Sequence, residues 1–248
     1  MRGNELGIKA ISFDFWHTLF TEKPGLFTLY QKRRRSLLAE AVLTQRDVPH
    51  SELEQACRFE AECHHKIWQD EHRTLDAVER VTSILNQLDV ALPDVALAGL
   101  VAGFEEGILE HPPVMVTGAS EVLHELSSRY RLGVISDVGF SPGRVLKRVL
   151  ATNGLIDVFD SLVFSDEAGR SKPHIEVFEA TARALAVSPS EIVHIGDLER
   201  TDIIGAKLAG FHAIRFTGIT PMEENETTVA DFVTDDLAEI PRLVEMLE

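Results

Sequence analysis

Four stretches far apart in the chain carry side chains suited to nucleophilic and metal-assisted chemistry. The first, Asp14-Phe15-Trp16-His17-Thr18-Leu19, sets a carboxylate at the end of an apolar run. There it can attack phosphorus or carbon in line, while the backbone after it turns back sharply enough for a carbonyl to face a metal. Ser136 closes a second run, Leu132 to Asp137, where its hydroxyl and the next backbone amide, that of Asp137, can hold phosphate oxygens. Lys172-Pro173 opens a helix after Ser165-Asp166, and Gly196-Asp197-Leu198-Glu199-Arg200-Thr201-Asp202 follows a further run. Crowding Asp14, Asp197 and Asp202 together would drive at least one carboxyl pKa upward unless a cation sat among them. Lys172 offsets one charge. Mg2+, a hard ion that takes carboxylates, carbonyls, waters and substrate phosphate, neutralises the rest.

Bringing those groups together requires a scaffold, and the hydrophobic pattern supplies one. Short β-forming runs occur at Ile8 to Phe15, Arg131 to Asp137, Ser161 to Asp166, Ile192 to Asp197 and His212 to Phe216. Helical patterns separate the later runs. Ser141 reads as an N-cap with Pro142 in the first turn, Val145, Leu146, Val149 and Leu150 point inward, and Asn153-Gly154 stops the helix; Ser188 with Glu191 reads as a capping box. This alternation implies right-handed crossovers and a Rossmann-like parallel α/β sheet covered on both faces, with ligands beyond the carboxyl ends of its strands. Asp14 and Asp197 therefore converge there, with Ser136 beside them.

The stretch from about Pro24 to Glu110 breaks the rhythm: it has no convincing strand and shows apolar spacing near 3.6 throughout. Leu26, Tyr30, Leu37 and Ala41 mark one helix, and Leu53, Cys57, Ala61, Ile67 and Trp68 a second. Leu75, Val78, Leu85 and Leu88 mark a third, and Leu97, Leu100, Phe104 and Ile108 a fourth. The pattern predicts an inserted α-helical four-helix module over 23–111, closed by His111-Pro112-Pro113, and leaves 1–22 and 112–248 as the core.

A chain of 248 residues, 44% apolar, can bury such a core with a smaller module. Its 24 basic and 40 acidic residues give a formal charge of -16, which repels nucleic acid and anionic lipid surfaces. A phosphorylated small molecule would need a metal or locally gathered cations. Cys57 and Cys63 form no metal or redox spacing and read as reduced thiols. The polar segment from Met1 to Gly7 and the lack of a long apolar run lead us to expect a cytoplasmic protein, monomer or homodimer, without membrane or nucleic-acid partners.

The four ordered motifs, together with Gly139 to Leu146 and Gly169 to Phe178, resemble those of the haloacid dehalogenase-like superfamily, phosphatase branch, and the helical insertion lies where that superfamily places its commonest cap. The resemblance implies Asp14 as nucleophile, Thr18 and Ser136 as phosphate holders, and Lys172 as the cation steadying nucleophile and phosphoryl charge. It also implies Asp197, Asp202 and the Trp16 main-chain carbonyl as metal ligands with Asp14. The activity implied is Mg2+-dependent hydrolysis of a small phosphorylated metabolite through an aspartyl-phosphate.

Trp16 departs from that pattern, since most phosphatases of the superfamily place a second Asp there as general acid and base. Tryptophan cannot titrate, and losing general acid catalysis typically costs ~10²- to 10⁴-fold in rate. Substrates with good leaving groups suffer least. An aromatic residue at this position also resembles the L-2-haloacid dehalogenases, in which the Asp attacks carbon and halide leaves without a proton or a metal. Gly196-Asp197 argues against that alternative, because a carboxylate beside Asp14 repels a carboxylate substrate. A third reading is a non-catalytic phosphate-ligand or protein-binding member of the family.

Arg33, Arg34 and Arg35 on the first helix of the insertion either meet a substrate anion or form a solvated face. His64, His65 and His72 with Asp70 have poor metal-ligand spacing, and Trp68 reads as module core.

Overall fold

The computed structural model describes residues 7–247. Residues 1–6, on which the expectation about the N-terminal segment partly rested, lie outside the described residues. No helix among the described residues is long and apolar enough to cross a membrane.

The apolar runs become strands: Ala10–Phe13 (β1), Arg131–Ser136 (β4), Ser161–Phe164 (β5), Ile192–Gly196 (β6) and His212–Phe216 (β7). Three shorter ones escaped periodicity: Phe20–Thr21 (β2), Val114–Met115 (β3) and Phe232–Thr234 (β8). Six strands form one sheet in the order β5-β4-β1-β6-β7-β8, all neighbours parallel, while β2 and β3 pair antiparallel. β4 is buried from Leu132 to Ser136, and β1 and β6 along their whole lengths, as parallel strands covered on both faces must be. The helices are Leu26–Leu43 (α1), His50–Asp70 (α2), Ala77–Gln87 (α3), Asp94–Glu106 (α4), Ala119–Ser127 (α5), Gly143–Thr152 (α6), Ser165–Ala168 (α7), Ile175–Leu185 (α8), Ile204–Leu208 (α9) and Ile240–Glu245 (α10). The architecture is the expected Rossmann-like α/β fold.

The chain divides into two compact units. One comprises the sheet, running through Thr21, over Val114–Asp137 and from Leu150 on; the other is Glu22–Pro113 with Val138–Val149. The core expected over 112–248 includes 138–149. In the structure this segment belongs to the helical unit, where Phe140 packs edge-on against Phe104 at 5.2 Å and lies under the guanidinium groups of Arg34 and Arg80.

Within the helical unit all four expected helices form, but their buried faces are turned slightly from the expected ones. Tyr30, Leu38 and Val42 are buried on α1, and Leu53, Ala56 and Glu60 on α2, whereas Ala61 and Val78 face solvent. The reason is a buried ion pair: Arg80 of α3 reaches Glu60 of α2 through Nε at 2.5 Å and a second guanidinium nitrogen at 3.2 Å. This places two charged residues at positions that a hydrophobic count skips. An unforeseen capping box starts α3, the Asp76 carboxylate accepting from Glu79 N at 2.8 Å and the Glu79 carboxylate from Asp76 N at 3.0 Å. The Ser141 hydroxyl, expected to cap α6, is instead buried without a hydrogen-bond partner, and Pro142 O takes the first bonds, from Val145 and Leu146.

Candidate active site

β1 ends one residue before Asp14, and the Asp14 amide continues the ladder by donating to Ile195 O at 2.8 Å. The chain then reverses through one tight turn closed by its own backbone: Phe20 N donates to Phe15 O at 2.8 Å, and His17 N to Phe20 O at 2.6 Å. His17 sits in this turn at φ 58, a left-handed conformation uncommon for a residue with a Cβ. Phe15 is buried and stacked on Phe20, and the Trp16 ring meets it edge-on at 5.0 Å. Thr18 is fully buried with its hydroxyl unpartnered, as a side chain awaiting an oxygen ligand would be.

From the other strand ends come the partners of Asp14. Its carboxylate accepts from Lys172 Nζ at 2.5 Å, and the same ammonium donates to Asp202 at 2.6 Å and to Ile135 O at 2.9 Å. Three acceptors for three N–H bonds leave the lysine fixed. Asp14, Asp197 and Asp202 are all buried and each brings one oxygen within 4.8 Å of the others. The motif around Gly196 explains how: Asp202 is carried back by a π-helical turn over Glu199–Ile203, and a Cβ at Gly196 would fall 2.4 Å from Asp202 Cγ. Only glycine tolerates that approach.

The two carboxylates on Lys172 differ in their surroundings. Asp202 Oδ1 accepts from Lys172 and from His194 Nε2 at 3.3 Å, and Oδ2 from Leu198 N at 3.0 Å and Thr201 at 3.2 Å. Burial opposes its charge, but Lys172 and His194 hold it well below the ordinary carboxylate range. Asp14 has only Lys172 for its side chain among the described residues; burial pushes its pKa well above that range, Lys172 opposing the shift and the negative charges of Asp202 and Asp197 adding to it. For Lys172 itself burial works against the ammonium, and Asp14, Asp202 and Asp137 outweigh it to raise the pKa. Asp197 uses one oxygen, accepting from Thr220 at 2.6 Å with His17 Nδ1 at 3.7 Å.

His194, Ser12 and Thr220 join the site without belonging to any of the four motifs. Ser12 and His194 are paired across β1 and β6, and Ser12 Oγ lies 2.9 Å from His194 Nδ1. Burial lowers the His194 pKa, so a neutral ring protonated on Nε2 satisfies both partners, accepting from Ser12 and donating to Asp202. A polar residue in the middle of each of two buried strands was the signal. Of the expected phosphate holders, Ser136 is buried and donates to Asp137 O at 3.1 Å. The Asp137 carboxylate accepts from Lys172 N at 2.9 Å and so anchors the lysine's own backbone.

Three buried carboxylates brought together from distant parts of the chain, one fixed ammonium and an unpartnered threonine hydroxyl make a site able to carry nucleophilic attack by Asp14 on a tetrahedral oxyanion. A model of the haloacid dehalogenase-like hydrolase family matches residues 8–210. Glyceraldehyde 3-phosphate phosphatase of Pyrococcus furiosus is 31% identical over 136 residues, 54% of this chain and 54% of its own. Validoxylamine A 7'-phosphate phosphatase of Streptomyces hygroscopicus subsp. limoneus is 33% identical over 129 residues, 51% of this chain and 57% of its own. The chain thus spans about half the length of these curated relatives. Among solved structures, a 2-haloacid dehalogenase from Pseudomonas syringae pv. Tomato DC3000 superimposes with TM-score 0.73 at 23% identity, covering 97% of this chain and 100% of that one. A HAD phosphatase from Thermococcus onnurineus gives 0.69 at 22%, covering 96% and 98%. Both share the fold, which therefore does not choose between the two chemistries.

Proposed function

Since the chain belongs to the haloacid dehalogenase-like hydrolase family, we propose that it is a magnesium-dependent phosphatase acting on a small phosphorylated metabolite, with Asp14 as nucleophile and the helical unit as its cap. The observation that carries this reading is the gathering of Asp14, Asp197 and Asp202 around the single ammonium of Lys172. Three buried carboxylates against one lysine and a neutral histidine favour a divalent cation. Asp14 and Asp197 each keep an oxygen without a hydrogen bond among the described residues, which suits direct ligation, and the Trp16 carbonyl would complete the protein's share. Asp202 adds charge on the metal side while its own bonds hold Lys172. Mg2+ bound there would supply positive charge opposite the phosphoryl oxygens.

In this mechanism one carboxylate oxygen of Asp14 attacks phosphorus in line while its other oxygen would face the metal, the P–O bond to the leaving group breaks, and an aspartyl-phosphate forms. Lys172 offsets charge on the nucleophile and on the transferring group, and Thr18, Ser136 and the Asp137 amide hold its oxygens. Water then cleaves the anhydride. Trp16 offers no proton, so the leaving oxygen departs as an anion, and aryl, acyl or anhydride phosphates are favoured over sugar phosphates. The relatives named as phosphatases support attack on phosphorus. So does Asp197, which would repel the carboxylate of a haloacid.

The test is hydrolysis of p-nitrophenyl phosphate, expected to need Mg2+, to stop with EDTA and to vanish in Asp14→Asn. Chloride release from 2-chloropropionate that survives EDTA would establish the dehalogenase reading instead. Failure of beryllium fluoride to trap Asp14 in the presence of Mg2+ would favour a non-catalytic role.

A further inference from the structure

Three consecutive arginines on α1 are treated differently by the helical unit. Arg33 pairs with Glu110 at 2.9 Å and Arg35 with Glu54 at 3.3 Å. Arg34, half-buried between them in sequence, has no carboxylate and no hydrogen bond among the described residues; its guanidinium lies 4.5 Å from the centroid of the Phe140 ring. Arg80 rests on that same ring at 3.6 Å, so a second cation is close by. The one acid in this group, Glu60, is held by both ends of its carboxylate on Arg80. The cluster therefore carries two guanidinium charges and one carboxylate, a surplus positive charge inside a chain whose formal charge is -16.

We propose that Arg34, stacked on Phe140 and backed by Arg80, is the receptor of an anion-binding site lying wholly within the helical unit, which takes a carboxylate or phosphoryl oxyanion. A guanidinium presents a planar fork that matches either group bidentately, and stacking on an aromatic face fixes that plane while leaving its N–H edge free. Burial, with Arg80 adding repulsion, brings the Arg34 pKa down to about 10, the direction expected where the cation lacks its anion. His64, four residues after Glu60 on α2, has a buried Nδ1 without a hydrogen-bond partner and offers one further polar atom next to Arg80. Paired arginines elsewhere in the unit, Arg73 on Glu79 and Arg144 on Glu105 and Glu106, show that carboxylates are not scarce there.

The anion has two sources that share this chemistry: a free small anion acting as effector, or the non-transferred end of the substrate. Calorimetric titration of the intact protein with malonate tests the site without requiring turnover, so it stands or falls separately from the phosphatase reading. Wild type is expected to bind millimolar malonate, Arg34→Met to lose at least tenfold in affinity, and Arg34→Lys to fall between. Absence of binding by wild type, or equal binding by a folded Arg34→Met, overturns the proposal. The sources separate in kinetics with a phosphomonoester carrying a carboxylate tail and its carboxamide analogue. Malonate that raises KM for the carboxylate ester alone, an effect lost in Arg34→Met, assigns the site to the substrate's tail. Malonate that alters turnover of both esters alike assigns it to a free effector.

Discussion

On the proposed mechanism, replacing Trp16 by Asp should relax the preference for good leaving groups. The fold can accept the change: Trp16 is half-exposed, its ring packs edge-on against Phe15, and the turn is closed by the backbone bonds of Phe15, His17, Leu19 and Phe20. The new carboxyl would enter a neighbourhood already holding Asp14, Asp197 and Asp202, where like charge raises a carboxyl pKa toward the range useful to a general acid. Among the described residues no hydrogen-bond partner stands on the Trp16 side chain to aim a carboxyl, so the gain belongs at the low end of general acid catalysis. For a hexose phosphate we expect about 10²-fold in kcat/KM, or ~2.7 kcal/mol of transition-state stabilisation. p-Nitrophenyl phosphate, whose leaving group needs no proton, should gain less than threefold by the same logic. Steady-state kinetics on the two substrates reads the ratio directly. Equal wild-type efficiency on both esters, or equal gains in the variant, would refute the claim that Trp16 sets leaving-group preference.

Glu60→Gln leaves the Arg80 and Arg34 charges without an acid, and breaking a buried pair costs ~3–5 kcal/mol; protection of α2 and α3 in hydrogen exchange should fall accordingly, while the double variant Glu60→Met, Arg80→Met should recover most of it. Asp76→Ala removes half of the capping box of α3 and should destabilise by about 1 kcal/mol in chemical denaturation, with Asp76→Asn losing much less. His64 has its pKa lowered from 6.5 to about 4, chiefly by burial and then by Arg80. Its folded state thus binds fewer protons than the unfolded one between those values, so stability should fall as pH drops from 6.5 toward 4 and level off below. His64→Gln should flatten that part of a denaturation-against-pH profile; an unchanged slope would place the proton uptake elsewhere.

The sheet was legible because a parallel strand buried on both faces must be a continuous apolar run, as in Ala10–Phe13 and Ile192–Gly196. β2, β3 and β8 were not, since two or three residues are too short to show a period. Helix faces were read nearly in phase and missed where charge replaced apolar contact. Glu60 and Arg80 are buried only because each finds the other from a different helix, which no local pattern reveals. At the site, the strand-end position of Asp14, Ser136 and Asp197 made them readable. His194 was readable too, as a polar interruption of an apolar strand, but Thr220, on the loop after β7, carries no periodic mark.

One lysine serves two carboxylates, yet the structure divides them by the number of other donors each receives. Asp202 is saturated, with Lys172, His194, Leu198 N and Thr201 on its two oxygens, and its charge is locked in. Asp14 has one bond and a second oxygen to spare, in a buried position that disfavours its charge. Hydrogen bonds stabilise a carboxylate at the expense of its nucleophilicity, so the less satisfied of the two is the one fit to attack, and the excess charge around it gives a divalent cation its reason to bind. On the proposed mechanism, the reactive residue is set by withholding partners from Asp14 as much as by placing them on Asp202.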